Sequence, residues 1–232
     1  MCSTFKLLHV ISNLSEKQKV VVRDIGFSSI LDLCCSSVPK NLVLWLVDRF
    51  DTSSNTVNLP NGFSLTLNAA VVKSILGLPM TSSKIICKRN EESYQFIKSH
   101  FKSVARTPSV DELVATITPE LNGDHFARAF MLLVLASFLC PNSNNVTSSK
   151  YFKAVVSVND IIKQDWCSLV LQWLNSSVLK YQNQKMNGQT SQTGGCVLVL
   201  VVTSHFFYSI LPSFVLYMQI LNLLLHFWIS LY

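Results

Sequence analysis

The stretch Asp124–Leu139, DHFARAFMLLVLASFL, decides the fold. It contains no glycine or proline, and its only charges are Asp124 and Arg128 near the start. A helix over these residues is apolar on nearly every side. At about 1.5 Å per residue it is roughly 24 Å long. That is short of the ~30 Å hydrocarbon core of a bilayer, so the stretch predicts a central helix inside a folded domain. Cys140-Pro141 stops it, and Asn142–Ser149 reads as a polar loop.

Further helices are predicted outward from this one. Ser15 with Gln18 starts a helix through Val20–Ile25 that Gly26 ends, and Phe27–Leu33 suggests a short second one. Pro39 opens a third through Leu42–Phe50. Thr66 or Asn68 can cap a helix carrying Ala69, Val72, Ile75 and Leu76, with Gly77 and Pro79 at its end. Glu91–Val104, Ser109–Ile117 and Trp166–Lys180 complete the set. One segment changes period. Thr56–Leu59 and Phe63–Leu67 alternate around Pro60-Asn61-Gly62, a hairpin signal. The predicted class is therefore mainly α: a compact multi-helix domain with one small β-hairpin, plus an apolar C-terminal segment. The expected divisions are a helical region over 1–185, a polar linker over 186–195 and an apolar tail over 196–232.

Composition excludes several classes. Charged residues are 14% of the 232 and hydrophobic ones 49%, which rules out a disordered charged tail, a collagen and a small disulfide knot. The seven cysteines form no C-x-x-C pair, so neither a zinc framework nor another metal site is predicted. They read as reduced thiols used as small apolar residues. The N-terminus lacks the apolar core and cleavage site of a signal peptide. There is no G-x-G-x-x-G, P-loop, G-x-S-x-G or H-E-x-x-H, so no cofactor and no catalytic residues are assigned. A thiol–imidazole pair can be drawn only on paper, from Cys140 or Cys167 with His125. Glu91-Glu92 and Asp111-Glu112 read as helix-start charges, and Trp45, Trp166 and Trp173 as core.

The net charge of +6 has one concentration. Lys84–Arg106 carries Lys84, Lys88, Arg89, Lys98, Lys102 and Arg106 against Glu91 and Glu92, with His100 beside them. Lys88, Arg89, Lys98, Lys102 and Arg106 are the candidate nucleic-acid contacts, with Tyr94, Phe96 and Phe101 interleaved for stacking. The alternative is an ordinary solvated face, with Ile97, Phe101 and Val104 turned to the core.

From Met186 to Tyr232 no residue is charged, and 27 of the 37 residues from Cys196 onward are apolar. The window 206–224 is long enough to cross a bilayer, with Phe206, Tyr208, Trp228 and Tyr232 as interface anchors. Basic residues precede it, which predicts a C-terminal anchor with a cytosolic N-terminal domain. The other readings are a strand and helix buried in the domain, and a reading frame that runs on past a truncated element.

Short motifs in order carry a resemblance. They are Gly26-Phe27 with Leu31-Asp32-Leu33, Leu44–Val47 with Phe50-Asp51, and Gly77-Leu78-Pro79, followed by Phe126–Phe130, Phe138–Pro141, Trp166-Cys167 and Gly195-Cys196. Over roughly residues 10–200 the chain resembles the aminotransferase-like plant mobile domain of transposons and plant proteins derived from them. The resemblance implies a helical domain, a nuclear setting, an unidentified protein or nucleic-acid partner, and a role around transposon silencing or genome maintenance. It supplies no catalytic residues. Nothing marks the Schiff-base lysine that a pyridoxal-phosphate transaminase needs. The chain departs from the pattern after Val202, where a charged continuation is expected and apolar sequence runs on.

Overall fold

The computed structural model describes residues 4–210 apart from residue 36, residues 102–106, residue 143 and residues 190–192. Helix α1 (Phe5–Ser12) buries Leu7, Val10 and Ile11. Ser15 and Gln18 form a reciprocal capping box at the start of α2 (Glu16–Asp24). The Gln18 side chain, itself buried, also donates 2.8 Å hydrogen bonds to the carbonyls of Thr118 and Leu121. One amide thus caps its own helix and holds a connection a hundred residues away. After α3 (Ser28–Leu31), α4 (Lys40–Asp48) follows from Pro39 and turns Val43, Leu46 and Val47 inward.

The expected hairpin is part of something larger. β1 (Phe50–Asp51), β2 (Thr56–Asn58) and β3 (Ser64–Thr66) form an antiparallel sheet in the order β1-β2-β3. Val57 lies opposite Phe50 on one side and Leu65 on the other. Phe50, expected at a helix end, is in a strand because its pairing with Val57 takes over where α4 stops. The loop Pro60–Gly62 is a 3₁₀ turn.

Asn68 caps α5 (Ala69–Leu76) by accepting from the Val71 amide, and Gly77 ends it in the left-handed conformation, at φ +62°. β4 (Ser83–Lys84) leads to α6 (Glu91–His100), capped by Asn90. Ser109 and Glu112 box the start of α7 (Val110–Thr116). Lys6 of α1 forms an ion pair with Asp111 there.

The central helix is α8 (Gly123–Val134), which continues as a π-helical turn over Leu135–Leu139. Every residue from Phe126 to Cys140 is buried except Arg128. Arg128 stays because all its charge is placed. Its Nε donates to the Val156 carbonyl at 2.9 Å and its guanidinium pairs with Asp124 at 3.0 Å. The α9 helix (Phe152–Val156) packs on α6 and α8. β5 (Gln164–Asp165) pairs in parallel with β4. Asp165 then caps α10 (Trp166–Met186) through the Ser168 amide.

The expected boundary near residue 186 is not where the packing ends. Cys196, Val197, Val199 and Leu200 are buried in the same core as the central helix, and α11 (Leu198–Ile210) packs on α4 and α5. The start of the expected tail is therefore a core element. Of the window 206–224, residues 211–224 lie outside the described residues, as do Trp228 and Tyr232. Among the described residues no helix is long and apolar enough to cross a membrane.

Candidate nucleic-acid interface

Of the five expected contacts, the structure describes Lys88, Arg89 and Lys98; Lys102 and Arg106 lie outside the described residues. Lys98 is half-buried on α6. Lys88 and Arg89 are exposed in the loop before that helix. Arg89 pairs with Glu91 at 2.9 Å and lies 3.9 Å over the Tyr94 ring. A guanidinium has five N–H donors, so Glu91 leaves it capacity for a phosphate oxygen.

The exposed face of α6 is not basic. It shows Glu91, Glu92, Gln95 and Ser99, while Ser93 and Ile97 are buried against the domain. The positive surface lies at the N-terminal end of the helix, where a second stretch of chain joins it. Tyr94 stacks on Phe152 of α9 with ring centres 6.4 Å apart. That stack brings Lys153, exposed beside Phe152, to the seam. The charge of Lys150, also exposed, reaches the Cys87 thiol and opposes the upward push that burial gives it. Arg89 over Tyr94 and Lys153 next to Phe152 thus lie at the α6–α9 seam, with Lys88 exposed in the same loop as Arg89 and Lys150 over the Trp173 ring of α10 and within electrostatic reach of Cys87. The sequence reading missed Lys150 and Lys153, which lie about sixty residues downstream of Lys88 and are isolated in their own segment.

At the other end of α6 the aromatics pack on one another. Phe96 stacks on His100 at 5.3 Å, and Phe101 meets the edges of both His100 and His125. Phe101 therefore packs inward against histidines and is not a free base-stacking platform. Burial, the neighbouring His125 and the Arg128 charge together hold the His100 imidazole below its ordinary pKa, with Asp124 opposing them.

Cys140 and Cys167 are poorly placed for nucleophilic chemistry, whereas Cys34 is exposed and Cys35 half-buried. Burial pushes Cys140 well up, and Cys167 up to about 11. Cys167 Sγ points at the carbonyls of Leu78 and Pro79, at 3.5 and 3.7 Å. His125 packs on His100 and Phe101, so the paper dyad is not assembled. A thiol whose pKa lies well above 9 carries almost no thiolate at neutral pH. The pocket lined by Thr4, Cys35, Val38, Phe138 and Cys196 has room for little more than one water molecule.

No curated protein and no solved structure matches the chain. A family model does match, over residues 1–201, and it takes in the central helix, the basic seam and the buried start of α11. The chain belongs to that family, a domain of unknown function designated DUF8566.

Proposed function

We propose that this chain is a non-enzymatic interaction module that holds the phosphate backbone of nucleic acid at the α6–α9 seam. The observation that carries the reading is that the Tyr94–Phe152 stack brings together two basic stretches far apart in sequence, with Arg89 over the Tyr94 ring and exposed Lys153 beside Phe152. Lysine and arginine neutralise phosphates and release condensed counterions without reading sequence. The buried, high-pKa thiols favour a binding role over thiol catalysis. The resemblance to plant mobile domains supports a nuclear setting and a transposon-derived role in silencing or genome maintenance.

The test is duplex DNA binding as a function of salt. The reading expects weak, sequence-tolerant binding at low salt, with a dissociation constant on the order of 10⁻⁴–10⁻⁶ M near physiological salt. Each neutralised phosphate contributes about 0.9 to the slope of log K against log salt, so Lys88→Ala, Lys150→Ala and Lys153→Ala together should flatten that slope by roughly 2–3. A triple variant with the wild-type slope, or a wild-type chain that ignores DNA at low salt, would sink the idea.

A further inference from the structure

The three-stranded sheet has an edge without the usual guards. Its order is β1-β2-β3, and among the described residues β3 pairs with β2 on one side only. The Leu59 amide donates to the Phe63 carbonyl and the Leu67 amide to the Asn55 carbonyl, both at 2.8 Å. Backbone groups along an antiparallel strand point alternately to its two sides. Phe63, Leu65 and Leu67 therefore spend theirs toward β2, and Ser64 and Thr66 turn theirs outward. Both are exposed, and no described residue bonds to their outward N–H and C=O groups.

An open edge is a template for another strand, and folded proteins guard such edges with charge, proline or a covering segment. β1, at the opposite edge, carries Asp51 next to Arg49. β3 has no such residue. Residues 52–72, which hold β2, the turn and β3, include no charge, and Pro60 lies in the turn rather than on the strand.

We propose that β3 is a dimerisation edge, pairing antiparallel with β3 of a second copy of this chain about a two-fold axis at Leu65. The edge is complementary to itself in that register. Ser64 of each copy faces Thr66 of the other and exchanges both backbone hydrogen bonds with it, which uses all the outward groups. Leu65 meets its symmetry mate as a non-hydrogen-bonded pair, with Cα atoms about 4.5 Å apart, the spacing at which side chains pack closest. Leu65 is also where an apolar row runs out. Phe50, Val57 and Leu65 lie opposite one another across the three strands. Phe50 and Val57 are buried, whereas Leu65 is half-buried. The second copy continues the row, and no like charges meet across the axis. A foreign peptide would need its own match to this register; a second copy supplies the match by symmetry. Three-residue strands bury far less than the ~1,200 Å² of a standard interface, so the dimer is weak and concentration-dependent. This proposal does not rest on the nucleic-acid seam.

The test is sedimentation equilibrium of the full chain from about 1 μM to about 1 mM. The wild-type chain should show a reversible monomer–dimer equilibrium. Ser64→Lys with Thr66→Lys sets like charges directly opposite each other and should weaken the dimer at least tenfold. Ser64→Glu with Thr66→Lys sets opposite charges in the same register and should restore it to within about threefold of wild type. Hydrogen exchange of the wild-type chain needs no variant: the Ser64 and Thr66 amides should exchange at least threefold more slowly at the high concentration than at the low one. Four results would each overturn the proposal. They are a monomer throughout the range, association that the Lys–Lys variant leaves unchanged and that therefore runs through residues 211–232 or another face, a Glu–Lys variant no better than the Lys–Lys one, or amide exchange at Ser64 and Thr66 that ignores concentration.

Discussion

A chain cut after Gly194 is expected to lose cooperative folding, whereas one cut after Ile210 keeps it. The shorter cut removes Cys196, Val197, Val199 and Leu200, each no more than 2% exposed. Full burial of a valine or leucine side chain contributes about 1.5–3 kcal/mol, so the three aliphatic residues alone account for roughly 5–9 kcal/mol. Domains of this kind are stable by only about 5–15 kcal/mol in total. The cut also uncovers the faces of α4 and α5 that α11 packs on. The chain enters that slot by a turn only glycine fits. Gly195 has φ +80°, and a Cβ on it would lie 2.8 Å from the Leu174 Cα, a backbone atom of α10. Near-ultraviolet circular dichroism and urea unfolding of the two truncations decide the matter. If residues 1–194 unfold with the same urea midpoint and slope as residues 1–210, the segment is an appendage and the core assignment fails.

That result bears on what could be read in the sequence. An uncharged apolar run fits a bilayer and a protein core equally well, because periodicity cannot separate two environments that are both apolar. Gly195 and Leu200 find their partners on helices far back in the chain, and no local signal announces them. The helices that were legible are those whose ends carry their own chemistry: Ser15 with Gln18, Asn68 with Gly77, Ser109 with Glu112. Elements held only from a distance were not. The two-residue strands β4 and β5 are too short to show a period and exist because residues 83 and 164 meet. The five-residue α9 is fixed by the burial of Phe152 and Val155 and by the Gln164 side chain donating to the Ala154 carbonyl. The candidate interface divides the same way. Lys88 and Arg89 stand out in a basic run, but Lys153 reaches the seam only through the stack of Phe152 on Tyr94.

The motifs behind the family resemblance also gain a physical meaning. Phe27 meets Trp166 edge to face at 5.5 Å. The Trp166 amide donates to the Pro79 carbonyl at 3.1 Å, and Cys167 Sγ approaches Leu78. Gly26-Phe27, Gly77-Leu78-Pro79 and Trp166-Cys167 are thus one junction. Cys140-Pro141 forms a second with the Gly194–Cys196 turn. The Pro141 carbonyl accepts from Trp173 Nε1 at 3.2 Å, and a Cβ at Gly194 would lie 3.2 Å from that same oxygen. These residues locate helices relative to one another across long stretches of sequence.

Trp166→Ala should therefore be the most damaging single substitution among Trp45, Trp166 and Trp173, at about 3–5 kcal/mol. The ring is fully buried, and its Nε1 donates to the Ile161 carbonyl at 2.7 Å. Removing it opens a cavity against Phe27 and leaves the Ile161 carbonyl with the Gln164 amide as its remaining donor. The sequence treats Trp45, Trp166 and Trp173 alike, as core. The structure separates them. Trp45 is partly exposed, with Arg49 lying 4.2 Å over its ring, and truncating it loses a surface contact of about 0.5–1 kcal/mol plus partial burial. Trp173 is intermediate, partly exposed but hydrogen-bonded to Pro141. Urea unfolding of Trp45→Ala, Trp173→Ala and Trp166→Ala should rank them in that order of increasing loss, with similar slopes. If Trp166→Ala costs no more than Trp45→Ala, the junction of the three motifs does not hold the fold together. Their pattern would then call for a functional explanation instead.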